Sequence, residues 1–417
     1  MLLCLGNSVF AHTNDPNPPQ HKFINYNANT LHYDTSSLLW KNFFSRWQSM
    51  ENTYQGNINI VQIGGSHVQA GTLPNTIRRN FITTYPNLVA SRGMIFPYSA
   101  AARCNNPPDY RVNCPQRMIL TRNVNRDISY PLGLCGIAIT ATDELKEMKI
   151  TLNEFQQFYA TNKIIILGKS NNKVVPLLRV NNRDVYPSYI DTETDRHVFN
   201  LSQIVDSFVV VIPCTTSDTF TLTGIYLGNQ HSGFSFHSIG VNGAAVVDYL
   251  KCHHFVRDLR LLHPDLVIFG IGINDATANP FDTTAFRLKY LQLVDSVRRV
   301  NPDCAILFIT NNDSFKRVGR KKYRVNANGA LAREAFYRIA KECDGAVWDQ
   351  FEVMGGLKSM EQWTAAHLGQ RDRIHFTRSG YELLGNMLFE ALTSAYHESL
   401  RSQHISDNTI KIQQRIP

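Results

Sequence analysis

A chain of 417 residues, 43% hydrophobic and 18% charged, is long enough to bury a substantial core and has the composition of a folded globular protein, not a disordered one. Its formal charge of +8 favours encounter with polyanions, but the basic residues are dispersed apart from Lys316, Arg317, Arg320, Lys321, Lys322 and Arg324. No nucleic-acid-binding signature accompanies that run, which reads as a solvated basic loop, and no apolar stretch approaches the roughly 18 residues of a membrane span.

The first residues are apolar, with Val9 and Ala11 spaced as around a cleavage site, and read as the end of a secretion signal that lacks its basic start. Export to the periplasm or beyond is the expectation. Residues 12–30, rich in Asn, Pro and His, read as a linker. A helix over 33–48 carries Leu38, Leu39, Phe43, Phe44 and Trp47 on one stripe. A strand over 58–63 then breaks on Gly64-Gly65-Ser66-His67, and Leu73, Ile77 and Phe81 follow at helical spacing. That turn holds the Ser66 hydroxyl at the carboxyl edge of a sheet, beside a helix N-terminus. Ser66 is the candidate nucleophile; a serine that merely caps the helix is the competing reading. The G-x-S-x-G elbow does not apply, because Val68 stands where its last glycine belongs.

From residue 93 the texture changes to short apolar runs between turn residues: 132–139, 148–152, 163–167, 174–180, 208–212 and 220–227. These predict an all-β insertion, a sandwich or jelly-roll. After Gly240 strand and helix alternate: helix 244–261, strand 265–270, helix 283–300, strand 304–310, helix 330–342, strand 345–348. A closing helix over 377–400 carries Tyr381, Leu384, Leu388 and Leu392 on one face. Such alternation predicts a parallel sheet with helices on both sides. The tail from 403 is polar and expected to be loose.

The eight cysteines include no C-x-x-C pair, against a zinc ribbon or a thioredoxin-type site. Cys104 and Cys114 flank a turn and could pair in an oxidising compartment; free thiols fit equally well. His253, His254 and His263 lack a carboxylate or thiolate at ligand spacing and read as surface or core histidines. No metal is expected.

Three further stretches fall where the sheet's loops gather. Gly272-Ile273-Asn274-Asp275 ends a strand, and its Asn274 amide can donate to an oxyanion or merely form an Asx-turn. Asp372-Arg373-Ile374-His375 precedes the last helix, so that Asp372 can orient His375, or the stretch is only a helix-entry loop. Gly243, before the helix at 244, offers a backbone N–H.

Taken together these blocks resemble the SGNH/GDSL hydrolase superfamily, over about residues 55–85 and 235–398. The long insertion after the serine block, together with Trp348-Asp349-Gln350-Phe351, Met354-Gly355-Gly356 and Trp363, resembles the two-domain peptidoglycan O-acetylesterases, whose insertion is similar to a carbohydrate-binding module. The resemblance implies a three-layer α-β-α sandwich interrupted by the β insertion. It divides the chain into 1–30 (signal remnant and linker), 31–92 and 233–402 (hydrolase), 93–232 (insertion) and 403–417 (tail). It makes Ser66 the nucleophile, His375 the base and Asp372 its partner, with an oxyanion hole of the Ser66 and Gly243 N–H groups and the Asn274 side chain. His67 is then part of the turn's hydrogen bonding. One departure is plain: Gly65 replaces the Asp of the family's G-D-S block. The implied activity is removal of O-acetyl groups from a cell-wall glycan with no cofactor. A lipase or thioesterase, a glycan O-acetyltransferase and a non-catalytic glycan-binding protein remain open.

Overall fold

The computed structural model of the chain describes residues 21–101, 106–128, 130–153, 161–320 and 322–413, with side chains as far as residue 402. Its central sheet comprises β1 (Leu31–His32), β2 (Asn57–Gly64), β3 (Gly233–Gly240), β4 (Leu266–Gly270), β5 (Ala305–Ile309) and β6 (Ala346–Trp348), in the order β1-β6-β5-β4-β2-β3. All pairings are parallel except the edge strand β1 on β6.

The strands are apolar nearly throughout because both faces are covered, and the period of two divides their side chains between two cores. Ile58 and Ile60 of β2, Leu266 and Ile268 of β4, and Leu307 of β5 face one core. Val61, Ile63, Val267, Phe269, Ile306 and Phe308 face the other. The first core is closed by α1 (Leu38–Thr53), α2 (Thr72–Thr84) and α6 (Arg378–Gln413). Helix α1 starts where the Ser37 hydroxyl accepts the Trp40 N–H at 3.3 Å, and it buries Trp40, Phe43, Phe44 and Trp47 at helical spacing. Trp47 stacks on Tyr396 of α6 at 4.4 Å between ring centroids. The second core is closed by α3 (Phe255–Leu262), α4 (Thr283–Arg298) and α5 (Asn328–Glu342).

Between α2 and β3 the chain forms two antiparallel sheets. One runs through Leu145–Leu152 and Ser207–Pro213, the other through Thr161–Ser170 and Thr219–Gly228. Their inner residues, among them Ile139, Ile166, Phe208 and Leu222, belong to the same apolar cluster as β4 and β5. The parallel sheet flanked by helices and the inserted antiparallel sheets are as the sequence predicts.

Several local expectations are corrected. The helix over 244–261 is two helices, Val246–Leu250 and α3, because the His254 N–H leaves the helical ladder to bond the Leu132 carbonyl at 3.0 Å. The same junction spends the first half of the expected strand 132–139, which begins only at Ile137. Residues 21–30 are no free linker: Ile24 is buried, the Asn25 N–H donates to the Val353 carbonyl at 2.9 Å, and Trp348 Nε1 donates to Asn29 Oδ1 at 2.9 Å. Helix α6 continues to Gln413, through most of the expected loose tail. The basic run is a hairpin, Phe315–Gly319 paired with Lys322–Val325, with Lys321 outside the described residues. The signal-like residues 1–20 and Cys104 also lie outside them, and Cys114 carries a free thiol. Among the described residues no three His, Cys, Asp or Glu side chains group to hold a metal ion, and no helix is long and apolar enough to cross a membrane.

Candidate active site

The site forms where β2, β3 and β4 end. Backbone comes so close there that a Cβ on Gly64 would lie 2.3 Å from Val68 Cγ2 and 2.6 Å from the Gly270 carbonyl oxygen. Two buried tyrosines bond the strand ends: Tyr249 donates to the Gly64 carbonyl and Tyr98 to the Gly240 carbonyl, each at 2.8 Å. Ser66 opens the short helix Ser66–Gln69, so its N–H has no acceptor within that helix.

From the other end of the chain, the loop before α6 brings His375 to this serine. Ser66 Oγ and His375 Nε2 are 2.8 Å apart, and His375 Nδ1 is 2.7 Å from Asp372 Oδ2. The other oxygen of Asp372 accepts the N–H groups of Ile374 and His375 at 2.9 and 3.0 Å. Burial raises the pKa of Asp372, but the bonds from the imidazole and these N–H groups outweigh it and hold the carboxyl at about 2. An ionised Asp372 accepts the Nδ1 proton, and this tautomer, inferred from the network, turns the lone pair of Nε2 toward the serine hydroxyl.

Ser66, Gly243 and Asn274 line one open cleft of about 880 Å³ together with His375. The loop carrying Gly243 takes a left-handed conformation there (φ +86°) and is anchored by the neighbouring Asn242 N–H, which donates to Gln69 Oε1 at 2.7 Å. Asn274 Nδ2 donates to the Ala244 carbonyl at 2.9 Å, which fixes the amide plane and leaves its second N–H. Next to it Asp275 accepts the Val246 N–H at 3.2 Å; burial pushes its carboxyl up to about 6. A Cβ on Gly65 would sit 3.5 Å from Asn274 Nδ2, an ordinary contact.

His67, expected to take part in the turn's own hydrogen bonding, bonds the last helix instead. Its Nδ1 bonds the Tyr381 hydroxyl at 2.9 Å, and its ring centroid lies 5.1 Å from that of His375. Burial, reinforced by the nearby His375, lowers its pKa to about 3, so it adds no positive charge beside the site.

Sequence reasoning missed the residues that hold these loops. Asn312 Nδ2 donates to the Ile374 carbonyl at 2.9 Å, and the Phe315 N–H donates to the Arg373 carbonyl at 3.1 Å. The Arg373 guanidinium sits 5.1 Å from the ring centroids of Phe315 and Tyr323. The signal for Asn312 was present: Asn311-Asn312-Asp313 follows β5 at the same sheet edge as the other blocks. Gln69, three residues after Ser66, was legible in the same way. Nothing in the sequence marked Tyr381 as more than a core residue.

Residues 223–383 match the GDSL-like Lipase/Acylhydrolase family, a span that contains Gly243, Asn274, Asp372 and His375. Over that span the chain is similar to GDSL-like acylhydrolases. No curated protein sequence matches it. Among solved structures this chain is similar to "Peptidoglycan O-acetylesterase in action, 5 min", with a TM-score of 0.72 and 20% identity over 88% of this chain and 99% of that one. Two other matches are an acetyl xylan esterase (TM-score 0.31, 15% identity, 38% of this chain and 81% of that one) and a family two carbohydrate esterase from Clostridium thermocellum in complex with cellohexaose (TM-score 0.30, 12% identity, 67% and 98%). At these identities the likeness is one of fold.

Proposed function

We propose that this chain is a periplasmic or secreted serine esterase that removes O-acetyl groups from a bacterial cell-wall glycan, with peptidoglycan as its substrate. The observation that carries the reading is the hydrogen-bonded series Ser66–His375–Asp372, with separations of 2.8 and 2.7 Å, at the wall of an open cleft. His375 Nε2 takes the proton of Ser66 Oγ as the oxygen attacks the acetyl carbonyl carbon. The negative oxygen that develops is met by the N–H groups of Ser66 and Gly243 and by Asn274 Nδ2. His375 returns the proton to the sugar oxygen as the ester C–O bond breaks, leaving acetyl-Ser66. Water then gives a proton to His375 as it attacks the acetyl carbon, and His375 passes that proton to Ser66 Oγ as the C–Oγ bond breaks and acetate leaves. No step calls on a cofactor.

The chemistry of the cleft wall favours a sugar over a long acyl chain. Asn106, Asn242, Asn326 and Gln370 present amides, and Lys316 and Arg317 present charge. The whole-chain fold match, insertion included, supports peptidoglycan over a bare acyl ester. The test is acetate release from O-acetylated peptidoglycan and from acetylated xylan, by the wild type and by Ser66→Ala. Release from peptidoglycan that falls to background in the variant is expected. Equal release by both proteins sinks the mechanism, and preference for octanoyl over acetyl esters sinks the substrate.

A further inference from the structure

The basic run of the sequence has found a place that the ester chemistry does not explain. Its hairpin forms one lip of the catalytic cleft: Phe315, Lys316 and Arg317 line the same space as Ser66 and His375. Across the hairpin Lys316 stands directly opposite Arg324, an arrangement of like charges that costs stability in a two-stranded ribbon. Among the described residues, none of Lys316, Arg317, Arg320, Lys322 and Arg324 forms an ion pair with a carboxylate. The Lys316 ammonium is held at the cleft by the Thr277 carbonyl, 2.9 Å away, and Arg317 is exposed.

On the other side the cleft continues onto the insertion. Asn106 lines the catalytic cleft and also a second, open groove of about 620 Å³. The floor of that groove is the paired strands Tyr110–Asn113 and Leu145–Leu152, which expose Arg111 and Lys149 into it. Among the described residues, the walls of the two clefts include four cations and not one Asp or Glu. No acidic residue among the described ones lines this path, while cations stand at both of its ends.

We propose that the two clefts form one track for a carboxylate-bearing glycan, which passes over Ser66 with its acidic groups met by Lys316 and Arg317 on the hairpin and by Arg111 and Lys149 on the insertion. The inference rests on reading the Ser66 cleft as an O-acetylesterase site, and it deepens that reading by naming the charge of the substrate. The hairpin couples the two functions. Its lysine is bonded to the loop that follows Asn274, and its Phe315 N–H to the loop that carries His375. A glycan held by the hairpin is thereby held against the acyl-transfer groups.

The experiment measures binding, so its failure is separate from any failure of the esterase reading. Full-length Ser66→Ala protein is sedimented with peptidoglycan sacculi, and its retention on immobilised polygalacturonate, acetylated xylan and duplex DNA is measured. Retention by sacculi is expected, tenfold or more weaker in 0.5 M than in 0.05 M NaCl, because exposed ion pairing is screened. Adding Arg317→Glu, Arg111→Glu and Lys149→Glu is expected to weaken it at least tenfold, whereas Arg317→Lys with Lys149→Arg keeps it within twofold. Melting curves verify that each variant is folded. Retention by polygalacturonate as well generalises the track to carboxylated glycans; retention by sacculi alone confines it to peptidoglycan. Equal retention by xylan, retention unchanged by charge reversal, no retention by either acidic glycan, or retention by DNA alone overturns the proposal.

Discussion

Gly65 stands where the family's serine block carries Asp, and the surrounding bonds hold the turn without that carboxylate. Gln69 joins the serine helix to the Gly243 loop, and Asn274 joins its own loop to Ala244. The rates expected of the proposed esterase follow from what each group does. Asn274→Ala removes one oxyanion donor and is expected to lower kcat on an acetyl ester by about 10²–10³. Asp372→Asn keeps the shape but loses the acceptor that sets the His375 tautomer, and a loss of up to about 10⁴ is expected. Steady-state kinetics check both, and a loss below threefold in either variant contradicts the role given to it. Asp275 makes a separate prediction in stability. Its folded pKa, about 6, lies above the ordinary 3.8, so between these values the native state keeps a proton that the unfolded chain has released. Its contribution is therefore most favourable below about pH 4 and is lost as the pH rises through 6. Asp372 has the opposite sign, but its change falls between 3.8 and about 2, outside this window. Urea unfolding at pH 4.5 and 7.5 is expected to show that Asp275→Asn reduces the stability lost over that interval by about 2 kcal/mol. An identical pH dependence in both proteins refutes the assignment.

At the scale of elements, the serine is positioned by the close meeting of β2, β4 and the helix Ser66–Gln69. Gly64→Ala must push Val68 or the end of β4 aside. A stability loss of about 1–3 kcal/mol is expected, the range for overpacking, together with weaker ester turnover as Ser66 moves. Chemical denaturation and kinetics on one preparation test this, and a variant equal to wild type in both shows the contact to be soft. The same elements explain what the sequence disclosed. Strands β2, β4, β5 and β6 were legible because burial on both faces makes them apolar runs, whereas β1, two residues long, and β3, interrupted by Ser235, His237 and Ser238, were not. The Ser66 and Asn274 blocks were legible because each ends such a run, and the Asp372–His375 block because it stands just before the last helix. The break at His254 was not: apolar residues recur at helical spacing on either side of it, Val246 with Tyr249 and Phe255 with Leu259, and the carbonyl that draws the chain away lies on Leu132, far off in sequence. The hairpin was hidden for a related reason. Its charges conceal the alternation that marks a strand, and what keeps it in place is the Arg373 guanidinium between Phe315 and Tyr323.

At the scale of the molecule, the insertion is joined to the hydrolase sheet through buried charge as well as through the shared apolar core. Asp109, at the start of the strand pair that floors the insertion's groove, is wholly buried and bonds both Arg92 Nε and Arg78. Burial alone would raise the pKa of Asp109, but the two guanidinium groups hold it below the ordinary carboxylate value. Arg78 belongs to α2, the helix after Ser66, and its guanidinium also donates to the Phe236 carbonyl of β3 at 2.9 Å. One carboxylate thus ties the insertion to a helix and a strand of the central domain. Removing it takes from two buried guanidinium groups the carboxylate they share, which costs on the order of 3–5 kcal/mol. The tryptophans allow the consequence to be located. All four, Trp40, Trp47, Trp348 and Trp363, lie outside the insertion, so their fluorescence reports on the hydrolase domain alone. Circular dichroism reports on the strands of both parts. Because the parts share a core, Asp109→Asn is expected to lower the denaturation midpoint by the same amount in both signals, with one transition in each. A circular dichroism transition that moves while the fluorescence transition stays in place shows instead that the insertion unfolds by itself, and that the serine turn does not depend on the domain beside it.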